Sequence, residues 1–184
     1  MIEPCSTVII PSFIMIMKNL FNKKEDNYQI KISKEGRGVR SILFFLPEKI
    51  QDAKIVNYLV KVENPLPGYD IGLVCSERSK MFYPHIDNVK LFTFNDEDLN
   101  YFDTIKSVSF MNEIRSKNYD AIVDLNTEFC AATTMLAFEL DAPLKIGFDS
   151  IVNRKIFTIT LERKENTFLE SYFSRILNLL GVKL

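Results

Sequence analysis

Short apolar runs alternate with amphipathic segments along the chain from residue 41 onward. A continuous apolar run is typical of a parallel strand covered on both faces, and apolar residues three and four apart indicate a helix. The predicted strands are 41–46, 70–75, 88–94, 119–125 and 144–148. The predicted helices are 52–62, a short helix from Ser76, 99–117, 127–140 and 166–180. This order predicts an α/β protein with a parallel sheet and helices on both faces.

Several residues at the boundaries of these elements are of types that begin or end helices. Ser76 is suited to cap the short second helix, and Asn126 or Thr127 is able to cap the helix after the fourth strand. Gly181 stands where a helix commonly ends. Residues 154–161 predict a short strand or an irregular excursion.

The first 39 residues differ in character from the rest and are predicted to be an apolar stub with a basic linker, ahead of one domain over 40–184. The stub, Val8–Met17, is shorter than the ~20 residues that a membrane-spanning helix needs. Residues 1–40 carry a net charge of +3 and the remainder −4. Two interpretations stay open: a terminal helix packed on the domain with a solvated linker, or peripheral contact of residues 1–24 with an anionic membrane surface.

Composition narrows the class of protein. The chain has 184 residues, enough for one domain with its own core, and 47% of them are hydrophobic. A net charge of −1 argues against a nucleic-acid partner, because phosphate binding favours a basic surface. The cysteines, Cys5, Cys75 and Cys130, are odd in number and widely spaced, which predicts reduced structural thiols and no metal site.

Candidate chemistry lies where the predicted strands end, because ligands of open parallel sheets sit beyond the carboxyl ends of the strands. That rule selects the loops 47–52, 75–78, 95–98 and 125–128. No glycine-rich phosphate loop follows the first strand. The acidic run 95–98 lacks the spacing of a calcium loop and is predicted to be a turn. The one histidine, His85, is predicted to be a surface or capping residue.

Polar residues in two of these loops allow both a structural and a functional interpretation. Asp52 follows the first strand and is suited either to cap a helix or to act in chemistry. Asn126, Thr127 and Glu128 follow the fourth strand, where they are able either to begin a helix or to hydrogen-bond the hydroxyls of a ligand.

Six segments in a fixed order carry a resemblance to a known family: 41–60, 69–75, 85–89, 119–126, 145–148 and 171–182. The fourth reads YDAIVDLN and the fifth KIGF. Together they resemble the N-terminal domain of the ADP-heptose:lipopolysaccharide heptosyltransferases, which are inverting glycosyltransferases of the GT-B architecture. The resemblance implies a single Rossmann-like domain that binds the acceptor, a saccharide or glycolipid of the lipopolysaccharide type.

The resemblance also implies roles for individual residues. Asp52 matches the aspartate of the family's Leu-Gly-Asp loop, the general base that deprotonates the acceptor hydroxyl. Lys49 would help to hold an acidic acceptor, and Gln51, Asn126, Thr127 and Glu128 complete the expected acceptor site. Gln51 replaces the glycine of that loop, and glutamine lacks the backbone freedom of glycine.

In the resembled family a second Rossmann-like domain holds the donor nucleotide-sugar. The sequence given ends after the helix that leads to that domain, so we expect no cofactor on this chain and a complementary C-terminal domain as its partner. The expected location is cytoplasmic, at the inner face of the bacterial membrane. The alternative is a non-catalytic saccharide- or protein-binding module derived from such a domain. A flavodoxin-like nucleotide or flavin binder would share the fold. The loop after the first strand lacks the Ser, Thr and Gly residues that would hold the phosphate of its ligand.

Overall fold

The computed structural model describes residues 38–59, 68–83, 89–164 and 168–180. In these residues six strands form one sheet: β1 Ser41–Phe45, β2 Asp70–Ser76, β3 Lys90–Phe94, β4 Ala121–Asp124, β5 Leu144–Phe148 and β6 Ile159–Leu161. The order across the sheet is β3-β2-β1-β4-β5-β6, and each neighbouring pair is parallel. The predicted Rossmann-like α/β architecture is therefore confirmed.

Helices cover both faces of this sheet. Those described are α1 Ile50–Leu59, α2 Glu77–Lys80, α3 Val108–Arg115, α4 Ala131–Glu139, α5 Asn153–Ile156 and α6 Leu169–Leu179, with a 3₁₀ turn at Asp96–Asp98. Successive residues of β1 point to opposite faces, as the pleat of a strand requires. Ile42 and Phe44 pack in one core cluster with α1 and α6, whereas Leu43 and Phe45 pack in the other with α3 and α4.

The predicted helix over 99–117 is wrong in its first half. Helix α3 begins only at Val108, because Asn100 draws the preceding chain into a tight loop. The Asn100 side-chain oxygen accepts from the amides of Phe102 and Thr104, and its Nδ2 donates to Thr104 Oγ1 at 2.7 Å. Such local side-chain bonds compete with the helical hydrogen bonds that the amphipathic pattern alone suggests.

The other boundaries in the structure differ less from the predicted ones. Residues 154–161 contain both the short helix α5 and the edge strand β6. Ser76 is the N-cap of α2, where its Oγ accepts from the amide of Ser79, as predicted. The stub, the basic linker, His85 and Gly181 lie outside the described residues. In the part of the chain that is described, no helix has the length and apolar character to span a membrane.

Candidate functional site

The two central strands end at the point where the chain reverses its direction across the sheet. From β1 the chain moves outward to β2 and β3, and from β4 it moves the opposite way to β5 and β6. The loops after β1 and β4 therefore diverge at the carboxyl edge and leave a crevice between them. The sequence-predicted residues Lys49, Gln51 and Asp52 belong to the first crossover, and 126–128 belong to the second.

Asp52 and Thr127 join the two crossovers. Asp52 lies in the first turn of α1 with 5% of its surface exposed. The Thr127 hydroxyl donates to Asp52 Oδ2 at 2.5 Å. A buried carboxylate thus holds a hydroxyl donor at the switch point, which is the arrangement that a general base makes with a substrate hydroxyl.

Lys49 and Glu128 form a second link across the same crevice. Lys49 Nζ lies 2.5 Å from Glu128 Oε1, and both side chains are exposed to solvent. The hydrogen bond and the opposite charge raise the pKa of Lys49 and lower the pKa of Glu128. Because Glu128 neutralises it, Lys49 does not present a free positive charge to an anionic ligand.

A buried network under the crevice positions the second crossover. Asp124, the last residue of β4, accepts from the Asn126 amide at 2.9 Å and from Asn126 Nδ2 at 2.7 Å. Its other oxygen accepts from Thr133 Oγ1 of α4 at 2.9 Å. Asn126 Oδ1 in turn accepts from the amide of Glu48 at 3.3 Å. The network ties the ends of β1 and β4 to the start of α4.

The carboxyl of Asp124 is unusual in its acidity. Burial raises its pKa to about 6, although the hydrogen bonds from Asn126 and Thr133 act in the opposite direction.

Tyr83 holds the first crossover in place, since its buried hydroxyl donates to the Pro47 carbonyl at 2.8 Å. Burial raises the pKa of Tyr83 far above its usual range, so this phenol stays neutral.

These contacts show whether the loop residues cap the helices that follow them. Asp52 lies inside the first turn of α1 and is not its N-cap. Helix α4 begins at Ala131 after Cys130, so the prediction that Asn126 or Thr127 caps it is wrong. Their side chains instead bond to Asp124 and Asp52. Gln51 is an exposed helical residue, in a conformation that needs no glycine.

Asp124, Thr133 and Tyr83 were not selected from the sequence. Asp124 carried one usable signal, an acidic residue at the end of an otherwise apolar strand. Thr133 and Tyr83 carried none, because only the strand order brings them to this edge. Among the described residues no group of acidic, cysteine or histidine side chains is arranged to hold a metal ion. Cys75 is buried and free, and burial raises its pKa to about 11, so it is no nucleophile near neutral pH.

An open cleft of about 840 Å³ adjoins this cluster at the carboxyl edge. Glu48 of the first crossover and the start of α4 form one side of it, and the turns after β2 and β3 form the other.

Comparisons with known proteins give one family and a set of structural neighbours. A family model, described as a family of unknown function (DUF6913), matches residues 15–181. No curated protein matches the chain by sequence.

Two structural neighbours are glycosyltransferases. The E. coli heptosyltransferase WaaC with ADP is similar with a TM-score of 0.55 at 14% identity, over 78% of this chain and 48% of that one. The glycosyl transferase family 9 protein from Veillonella parvula gives a TM-score of 0.55 at 19% identity, over 79% of this chain and 43% of that one. The chain thus spans less than half of the length of these proteins, and it shares with them a glycosyltransferase-like fold.

Proposed function

The chain belongs to the DUF6913 family of unknown function, and we propose that it is the acceptor-binding half of a heptosyltransferase-like glycosyltransferase. The proposed reaction transfers a sugar from a nucleotide-sugar to an acceptor of the lipopolysaccharide type. The observation that carries the proposal is the buried Asp52 carboxylate with its hydroxyl donor at the switch point. The fold shared with the E. coli heptosyltransferase and with the family 9 glycosyl transferase agrees with it.

In the proposed step the acceptor hydroxyl takes the place of the Thr127 hydroxyl at Asp52. Asp52 removes the proton while the acceptor oxygen attacks the anomeric carbon of the donor sugar. The bond to the nucleotide breaks, and the nucleotide leaves with the electron pair. General-base assistance of this kind contributes roughly 10²–10⁴-fold in rate.

The remaining residues of the cluster hold the acceptor in this proposal. Thr127 and Gln51 offer hydrogen-bonding groups beside Asp52, and Asn126 fixes the backbone of both crossovers. The Lys49–Glu128 pair links the two crossovers beside it. A complementary domain would bind the donor nucleotide, so no cofactor is assigned to this chain. Peripheral membrane contact through residues 1–24 and a cytoplasmic location at the inner membrane face stay predictions from the sequence.

One observation favours a second candidate, a saccharide-binding module without catalysis. The Asp52 carboxylate is already hydrogen-bonded and is 5% exposed, and Lys49 is already paired. When the polar groups of a site are already bonded to one another, a saccharide is able to bind at the edge of the site. Such binding needs no proton transfer.

Transfer and acceptor binding, measured together, test the proposal. The full chain is mixed with a donor-binding domain of a heptosyltransferase, ADP-heptose and a core oligosaccharide that accepts heptose. We expect Asp52→Asn to lower transfer by roughly 10²–10⁴-fold while acceptor binding changes less than threefold. The matched control is Asp70→Asn, the same chemical change at an exposed carboxylate on the opposite edge of the sheet.

Each outcome separates the two candidates. Asp52→Asn with the transfer rate of the unaltered chain removes Asp52 from the mechanism. Binding of the oligosaccharide without transfer in any mixture supports the non-catalytic module instead.

A further inference from the structure

The cleft beside the Asp52 cluster is a separate cavity with its own lining. Its volume, about 840 Å³, lies within the range of small-ligand pockets, ~300–1,000 Å³. Glu48, residues 76–78, the loop 94–103 and residues 129–132 supply its walls, and neither Asp52 nor Thr127 is among them. The cleft therefore contacts a part of a ligand other than the group that meets Asp52.

The walls of this cleft carry more acidic than basic side chains. Four carboxylates line it, those of Glu48, Glu77, Asp96 and Asp103, against one guanidinium, that of Arg78. Arg78 is already paired with Asp96. The first turn of α4 also reaches the cleft, and a helix N-terminus has the effect of only about +0.5 charge. Glu77 is likewise paired, with Lys80, so the unpaired carboxylates that remain, Glu48 and Asp103, outweigh the helix N-terminus.

Two of these carboxylates are available to a ligand. Glu48 and Asp103 make no side-chain hydrogen bond or ion pair with other residues in the described ranges. An ionised carboxylate accepts hydrogen bonds and donates none, so a ligand here has to bring donors. A phosphate or carboxylate on the ligand would meet like charge in a partly enclosed space.

The cleft also offers apolar surface of a particular kind. Phe129 is 55% exposed, although it is a large aromatic residue, and it lies in the lining beside Ala131 and Ala132. Phe94 and Leu99 contribute further apolar surface. An aromatic ring next to a few polar acceptors is suited to a ligand with an apolar face and a polar edge.

We propose that this cleft binds a sugar unit that carries hydroxyl or ammonium donors and no phosphate or carboxylate group. The ring of the sugar lies against Phe129, and its donors reach Glu48 and Asp103. That the ligand is a saccharide rests on the proposed function, whereas the charge selectivity rests on the lining alone. The acceptor is therefore neutral or basic at this position, in contrast to the acidic acceptor expected from Lys49.

Three probes on one ring test this proposal: glucose, glucosamine and glucose 6-phosphate. Each is titrated into the ¹⁵N-labelled full chain at low salt, and the amide shifts of residues 129–132 are followed. We expect glucosamine to bind most tightly and glucose 6-phosphate at least tenfold more weakly than glucose. Added salt should narrow the difference, because salt screens the carboxylates.

Substitutions test which residues of the cleft are responsible for sugar binding and for the charge selectivity. Phe129→Ala should weaken glucose binding at least fivefold, and Phe168→Ala, the same change at a more exposed phenylalanine outside the cleft, should not. The double variant Glu48→Gln with Asp103→Asn should move the ratio of glucose to glucose 6-phosphate affinity toward one.

Two results overturn the proposal: glucose 6-phosphate that binds as tightly as glucose, or no shift at residues 129–132 with any of the three sugars. Neither result depends on Asp52. An Asp52→Asn variant with unchanged transfer would contradict the proposed function and leave the charge selectivity of the cleft standing.

Discussion

The carboxyl and amino edges of the sheet differ in whether their buried tyrosine hydroxyls are hydrogen-bonded. Tyr83, at the carboxyl edge, donates its hydroxyl to the Pro47 carbonyl. Tyr119, at the amino edge, is just as buried, and its hydroxyl has no hydrogen-bond partner among the described residues. Burial without a partner leaves a polar group unsatisfied, at a cost of roughly 1–3 kcal/mol.

Carboxylates follow the same division. At the amino edge Asp120 accepts from the amides of Arg40 and Ser41, and Asp70 pairs with Lys117 at the surface. At the carboxyl edge Asp52 and Asp124 are buried. Asp52 accepts from the Thr127 hydroxyl of the other crossover, and Asp124 accepts from Asn126 and Thr133 of its own. The carboxylates of the amino edge thus bond to backbone amides and to a surface lysine, whereas those of the carboxyl edge bond to polar side chains of the two crossovers.

The largest effect on stability is expected at Asp124, at the carboxyl edge. Asp124→Ala leaves the donors of Asn126 and Thr133 buried without an acceptor, so we expect the free energy of unfolding to fall by about 3–4 kcal/mol. Urea denaturation followed by circular dichroism measures it. The control is Asp124→Asn, which keeps one accepting oxygen and should lose less. An equal loss in both variants would show that volume, not hydrogen bonding, sets the effect.

The acidity of Asp124 predicts a pH dependence of stability. The folded chain keeps this proton up to a pKa of about 6, and the unfolded chain releases it near the ordinary value of 3.8. Because the folded state binds more protons between these values, this contribution to stability is largest below pH 4 and falls as the pH rises toward 6. We expect the fall to be on the order of 2–3 kcal/mol.

Urea midpoints from pH 4 to pH 7, compared between the unaltered chain and Asp124→Asn, isolate this contribution. The difference between the two curves should slope over that interval. A flat difference would mean that Asp124 titrates normally in the folded chain.

The tyrosine pair gives a smaller and opposite pair of effects. Tyr83→Phe removes the bond to Pro47 and should lower the free energy of unfolding by about 1 kcal/mol. Tyr119→Phe removes a hydroxyl that has no partner among the described residues, so stability should stay the same or rise by up to about 1 kcal/mol. Thermal melts of both variants check the sign. Equal losses would remove the distinction between the edges.

The smallest effect is expected at the surface of the amino edge. Asp70→Asn breaks an exposed ion pair with Lys117 and should change the free energy of unfolding by no more than about 0.5 kcal/mol. Chemical denaturation at low and high salt measures it, and the small loss should vanish at high salt. A loss above 1 kcal/mol would place Asp70 among the structural carboxylates with Asp120.

The strands were predictable because each is a short apolar run that ends in a polar break. Residues 144–148 were predicted with their observed bounds, and the first two strands within one residue of theirs. The failures came where a polar side chain overrides periodicity. Asn100 folds 99–107 into a loop, and the side chains of Asn126 and Thr127 bond to aspartates instead of opening α4.

The place of the candidate site was also predictable, since the strand-end rule needs only the strand positions. Its composition was not. Asp124, Thr133 and Tyr83 meet the predicted residues through the order of the strands, which no local pattern encodes. The roles assigned to Lys49, Gln51, Asp52, Asn126, Thr127 and Glu128 stay predictions.

The central position of β1 has a consequence for synthesis on the ribosome. Ile42 pairs with Ile71 of β2 on one side and with Ala121 of β4 on the other. At a translation rate of about 5–20 residues per second, β2 emerges seconds before β4 does. During that interval β1 has one open edge, which a strand of another nascent chain could join. Among the inner strands β1, β2, β4 and β5, the strand that supports the candidate site thus waits longest for its second neighbour.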